Sequence, residues 1–134
     1  ALEAGEAIGL FPEGRITRHG DHWPERARTG AVRLALRTGA PIVPVAIVGA
    51  HRVASRRPDL RLLANVVLRP RVRTRVGEAI DVSALVGSDV VDDGSVASQA
   101  AVRRATDAVM AILIDLIEEV RDEVAPDPIG VERT

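Results

Sequence analysis

Residues 41–48, Pro-Ile-Val-Pro-Val-Ala-Ile-Val, are apolar throughout and β-branched at five positions. A run of that kind is expected of a strand covered on both faces, near the centre of a sheet. Pro44 qualifies the expectation, because proline cannot donate to a ladder, so a bulge or a sheet margin is expected there. A strand buried on both faces needs helices to bury it. From Ser98 to Val124 the residues Val102, Ala105, Val109, Leu113, Leu116, Val120 and Val124 recur at helical spacing, which predicts a long amphipathic helix over 98–124. Its polar face is acidic, which favours packing on a sheet over lying on a membrane. The expected class is α/β, a mixed sheet flanked by helices.

The rest of the chain fits around that frame. Ala7-Ile8-Gly9-Leu10-Phe11 is a short apolar run stopping at Pro12 and predicts a strand over 7–11. Residues 12–28 hold Gly14, Gly20 and Pro24 among nine charged or histidine side chains, so a long irregular loop is expected. Thr29 is the expected N-cap of a helix over 30–38, with Ala31, Leu34, Ala35 and Thr38 on one face and Gly39 as its stop. A third strand region is expected over 66–76, where Val72, Thr74 and Val76 alternate with Arg71, Arg73 and Arg75. That arginine face must be solvated or bind something anionic. Ser83, Ser88, Ser95 and Ser98 read as turn or cap residues, and Pro126-Asp127-Pro128 ends the last helix. The expected division is a partial domain over 1–125 and a loose tail over 126–134.

A chain of 134 residues suffices for one domain or a large part of one. It has no cysteine, which excludes disulfides, thiol nucleophiles and thiolate metal sites and fits a reducing compartment. The longest helical apolar run, Ala108 to Ile114, is far shorter than the roughly 18 to 20 residues that cross a bilayer. Ala1 is preceded by no Met and followed by no leader pattern, so the sequence reads as a fragment or a trimmed product. Residues 1–78 carry 14 arginines against 7 acids, and residues 79–134 carry 4 against 12. The basic part suits phosphates or an anionic lipid surface, and the acidic part repels both. With two aromatics only, Phe11 and Trp23, stacking platforms for nucleic acid are missing. The expected location is cytoplasmic, with peripheral contact at the inner face of an anionic membrane open to it.

Phe11-Pro12-Glu13-Gly14, directly after a short apolar run and followed by Arg15 and Arg18, carries the most specific chemistry. A glycine lets backbone approach a ligand, arginines offer forked donors suited to phosphate, and a carboxylate accepts from a hydroxyl. The set suits a small molecule bearing phosphate and hydroxyl groups; the plainer alternative is a tight turn with a solvated glutamate. His19-Gly20-Asp21-His22 lacks a further histidine or cysteine nearby and reads as solvated loop, so no metal is expected. Gly-x-Ser-x-Gly, Gly-x-Gly-x-x-Gly and phosphate-loop patterns are absent from the sequence.

Gly9-Leu10-Phe11-Pro12-Glu13-Gly14, then Thr29-Gly30-Ala31, then Gly39-Ala40-Pro41-Ile42-Val43-Pro44-Val45-Ala46, then Val76-Gly77-Glu78-Ala79-Ile80, resemble in order the second half of the phospholipid and glycerol acyltransferases. These enzymes acylate lysophosphatidic acid and related acceptors. The resemblance implies an acceptor-binding block at Phe11, Pro12, Glu13 and Gly14, and a block lining the acceptor or acyl pocket at Ile42, Val43, Pro44 and Val45. Arg15 stands where the family usually has threonine and Ile16 where it has the phosphate-binding arginine, which leaves Arg15 and Arg18 both open for that contact. No cofactor is implied; acyl-CoA or acyl carrier protein would be the donor and a lysophospholipid the acceptor.

The family's base is a histidine followed five residues later by an aspartate. Here His19 meets Pro24 at that spacing, His22 meets Ala27 and His51 meets Arg56. The resemblance places that block before Ala1, so the chain is expected to be inactive alone and to expose apolar surface that a missing half would cover. The competing expectation is a non-catalytic module that binds a phosphorylated ligand or a partner. A nucleotide-binding α/β domain is disfavoured, because it needs a glycine-rich turn opening a helix straight after the strand.

Overall fold

The computed structural model describes residues 1–14, 23–50, 71–87 and 93–121. Among them a 3-10 turn (Leu2–Ala4) is followed by helix α1 (Gly30–Thr38), strands β1 (Val45–Val48) and β2 (Arg73–Val76), helix α2 (Val82–Val86) and helix α3 (Val96–Arg121). Strand residues expected at 66–70, helix residues expected at 122–124, the tail at 126–134, and Arg15, Arg18, His19, His22 and His51 lie outside the described residues. Helices around a small antiparallel sheet are compatible with the expected α/β class.

β1 and β2 run antiparallel, with Val45 opposite Val76, Ala46 opposite Arg75, Ile47 opposite Thr74 and Val48 opposite Arg73. Beyond β1 the chains stay together: Ile42 and Ile80 exchange backbone bonds of 3.0 and 2.8 Å, and Gly77 N donates to Pro44 O at 2.9 Å. Pro44 thus falls in the gap between that bridge and β1, where its carbonyl is used and its missing N–H is not. This is the margin that a proline in such a run demands.

Two strand expectations are corrected and a third is met over its described end. Residues 7–11 are not a strand, and Ile8, Leu10 and Phe11 are exposed. A short apolar run becomes a strand only against a ladder partner, and no described strand pairs with it. The 42–48 run narrows to Val45–Val48 and is covered on one face only: Ala46 is 1% exposed, whereas Val45 and Ile47 are 43% and 54% exposed. Within the 66–76 region only Arg73–Val76 is strand among the described residues.

The register explains which face is covered. Side chains alternate, so Arg73 and Arg75 share a face with Ala46 and Val48, while Thr74 and Val76 share the other with Val45 and Ile47. α3 lies over the Ala46 face, where Ala46 packs with Ile114, Leu116, Ile117 and Trp23. The two arginines therefore reach the end of α3: Arg75 pairs with Glu119 at 3.1 Å and Arg73 Nη1 donates to Val120 O at 2.8 Å. Arg75 thus has an anionic partner within the chain and Arg73 a backbone carbonyl, and the open face is the apolar one.

α3 also builds a second cluster along its first half, where Val102 and Ala105 meet Val32 and Ala35 of α1 and Val82 of α2. α1 thus takes its packing from the helices, although it was expected on the sheet. The most deeply buried positions of α3 include Val102, Met110 and Ile114, so the buried stripe is centred beside Val109 and Leu113, which are half-buried. Gly39 ends α1 in the left-handed region at φ 69, as expected, but Thr29 supplies no side-chain cap; its Oγ1 accepts from Arg33 Nε at 3.3 Å. No described helix is long and apolar enough to cross a membrane.

Candidate functional site

Residues 11–14 form a closed turn, Gly14 N donating to Phe11 O at 3.0 Å. Pro12 presets the second position of such a turn, and Gly14 takes φ 67, which a side chain would resist. Residues 25–28 are bonded to this turn at two points. Arg28 N donates to Pro12 O at 2.8 Å, and Glu25 N donates to Glu13 Oε2 at 2.7 Å. The carboxylate chosen from sequence as a hydroxyl acceptor here holds backbone, a role the sequence did not disclose.

What holds residues 25–28 is α3. Trp23 and Ala27 are buried, at 6% and 4% exposed, in a stretch expected to be loose loop. The Ala27 carbonyl accepts from Arg103 Nη1 at 2.8 Å, and Arg103 also pairs with Asp107 one turn further on. The Arg121 guanidinium lies 4.4 Å from the Trp23 ring centroid, within cation–π range. A signal for this anchor was present: Trp23, Pro24 and Ala27 are the apolar residues of an otherwise charged stretch, and all three are buried.

A residue missed from sequence stands against the turn. A Cβ on Gly14 would lie 3.1 Å from both Cδ and Nε of Arg28, so the arginine stem crosses directly over the glycine. Phe11 projects from the turn at 87% exposed. Arg15 and Arg18 lie outside the described residues.

The other expected block is held separately, by Val76, Gly77 and Ile80. Ile42 is half-buried against the α1–α3 cluster and Pro44 is buried, whereas Val43 and Val45 are 49% and 43% exposed. Val45, Ile47 and Val76 form an open apolar face, with exposed Val43 and Val72 flanking it. Among the described residues no group of histidines, cysteines and acids could hold a metal.

The Acyltransferase family model matches residues 1–48, a segment that contains the 11–14 turn, α1 and all of β1. The match is a likeness of this segment, 48 of 134 residues, to the acyltransferases. An uncharacterized protein of Mycobacterium bovis and counterparts in two strains of Mycobacterium tuberculosis are each 38% identical over 71 residues, covering 48% of this chain. The chain spans about a fifth of the length of these curated relatives. No solved structure matches it significantly.

Proposed function

We propose that residues 1–134 supply acceptor-binding structure to an acyltransferase that moves a fatty acyl group from acyl-CoA or acyl carrier protein to the hydroxyl of a lysophosphatidic acid-like acceptor. The observation that carries this reading is the family match over residues 1–48, a segment containing a turn whose glycine backbone and flanking arginines suit a phosphorylated polyol. The apolar face at Val43 and Val45 would lie along the acceptor's hydrocarbon or the transferred acyl chain. Arginines in the first part of the chain would favour peripheral contact with an anionic membrane.

Acyl transfer from a thioester needs a base on the acceptor hydroxyl, and none of the three histidines in these residues has an aspartate five positions on. Residues 1–134 alone are therefore expected to bind the acceptor without turnover. That same feature favours one alternative, a non-catalytic module for a phosphorylated ligand. The test is a titration with lysophosphatidic acid below its micellar range, following the amide resonances of residues 11–14 and 25–28. Saturable shifts there, absent with neutral monoacylglycerol, support acceptor binding; no shift sinks it. Acyl transfer by the protein expressed from its whole reading frame separates enzyme from binding module.

A further inference from the structure

We infer that Arg28 is the residue that meets the acceptor's phosphate, a role resting on the acceptor-binding reading of the 11–14 turn. Three observations converge on it. First, its stem crosses Gly14 so closely that a Cβ there would sit 3.1 Å from Cδ and Nε, which puts the guanidinium beside the backbone that a ligand would approach. Second, its position is built: Arg28 N is bonded to Pro12 O and Glu25 N to Glu13 Oε2, while Arg103 of α3 holds the Ala27 carbonyl next door. Third, Arg28 is exposed, and among the described residues its guanidinium has no hydrogen bond or ion pair. Arg75 and Arg103, by contrast, are paired with acids.

An arginine that is anchored through its backbone, exposed, and without a hydrogen bond or ion pair among the described residues is organised for an anion from outside. A guanidinium fork matches two oxygens of a phosphate monoester, which a lysine ammonium cannot do. The start of α1 adds to the field: Thr29 makes no side-chain cap and the first turn holds no acid, so its N–H groups keep their partial positive charge next to Arg28. The ligand chemistry is a phosphate monoester on a glycerol. Glu13 acts here as a positioning residue, holding the segment that carries Arg28.

The experiment measures binding of sn-glycerol 3-phosphate, inorganic phosphate and glycerol to the 134-residue chain by amide shifts and calorimetry. Arg28→Ala should weaken glycerol 3-phosphate binding by roughly tenfold or more, the loss of about one charge-assisted pair. Arg28→Lys should fall between that variant and the wild type, and Arg26→Ala, an exposed neighbour, should stay within about twofold. Circular dichroism establishes that each variant is folded. If Arg28→Ala binds as tightly as the wild type while Arg15→Ala or Arg18→Ala does not bind, the phosphate contact belongs there; the role of Arg28 is then overturned and the acceptor reading stands. If inorganic phosphate binds as well as glycerol 3-phosphate, the glycerol ester is overturned as the ligand. If the wild type binds neither, the acceptor reading fails and takes the assignment with it.

Discussion

Arg75 of β2 and Glu119 of α3 meet at 3.1 Å, with side chains 60% and 55% exposed. Such a pair spends most of its Coulomb attraction on ordering two long side chains in water, and salt screens the rest. Arg75→Ala should therefore lower stability by no more than about 0.5 kcal/mol, and by less at high salt. Urea unfolding at two ionic strengths measures this. A loss well above that, insensitive to salt, would show that the arginine stem supports the sheet by packing.

Gly77 sits where β2 leaves the sheet, between Pro44 and α3. A Cβ there would lie 2.8 Å from Leu116 Cδ1 and 2.9 Å from Pro44 Cγ. Leu116 can rotate away at some expense, but the Pro44 ring cannot swing and its carbonyl is tied to Gly77 N. Gly77→Ala should destabilise the chain by about 1–3 kcal/mol through overpacking. Gly9 has no atom within 4 Å of its Cβ position and no positive φ, so Gly9→Ala should be neutral or slightly stabilising. Equal unfolding midpoints for the two variants would contradict the close approach at Gly77.

The elements legible in the sequence are those specified locally. α1 was readable because a narrow apolar face precedes a glycine that must adopt φ 69, and α3 because its period holds over 26 residues. β1 was readable as a strand from its β-branched residues, but its surroundings were not, since the number of covered faces depends on what the rest of the chain supplies. For the same reason the arginines of β2 looked like an outward face. Only the register with β1, a non-local pairing, turns them toward α3 and leaves Val45, Ile47 and Val76 open. At the candidate site, Phe11 to Gly14 could be chosen from composition and resemblance. Arg28 could not, because it lies fourteen residues from Gly14 and reaches it through Pro12, Glu13 and α3. α2 was missed because five residues are too few for a period to show.

Asp81 caps α2, accepting from Ser83 Oγ at 2.6 Å and from Ser83 N at 2.9 Å. The Ser83 hydroxyl first, and then the Ser83 amide, hold its carboxyl below the usual value of 3.8. A carboxyl with a depressed folded pKa contributes fully above its unfolded value, and the contribution disappears as pH falls through the folded one. The cap should therefore persist at pH 3.8 and open only below it. Asp93 should behave alike, held down by the backbone N–H and then the hydroxyl of Ser95. A pH titration of the Ser83 and Ser95 amide resonances reads both. Midpoints above 3.8 would show that the carboxylates are not the acceptors described.

Glu13 separates a structural from a contacting role for the 11–14 turn. Its Oε2 accepts from Glu25 N at 2.7 Å, and the segment so held carries Arg28 across Gly14. Glu13→Ala strands that backbone N–H beside a half-buried turn, at a cost of about 1–2 kcal/mol for a charge-assisted bond that water partly replaces. Glu13→Gln keeps an acceptor oxygen in the same place and should recover most of the loss. Denaturant unfolding and hydrogen exchange at the Glu25 amide measure the two effects together. Acceptor binding should follow the same order: Glu13→Ala weakens it by displacing the 25–28 segment, and Glu13→Gln restores it. If the carboxylate itself meets the acceptor and its charge matters there, Glu13→Gln should bind as poorly as Glu13→Ala while unfolding like the wild type. That pattern would transfer Glu13 from the scaffold to the ligand contact. If Glu13→Ala leaves stability, Glu25 exchange and acceptor binding unchanged, the bond between Glu13 and Glu25 supports neither.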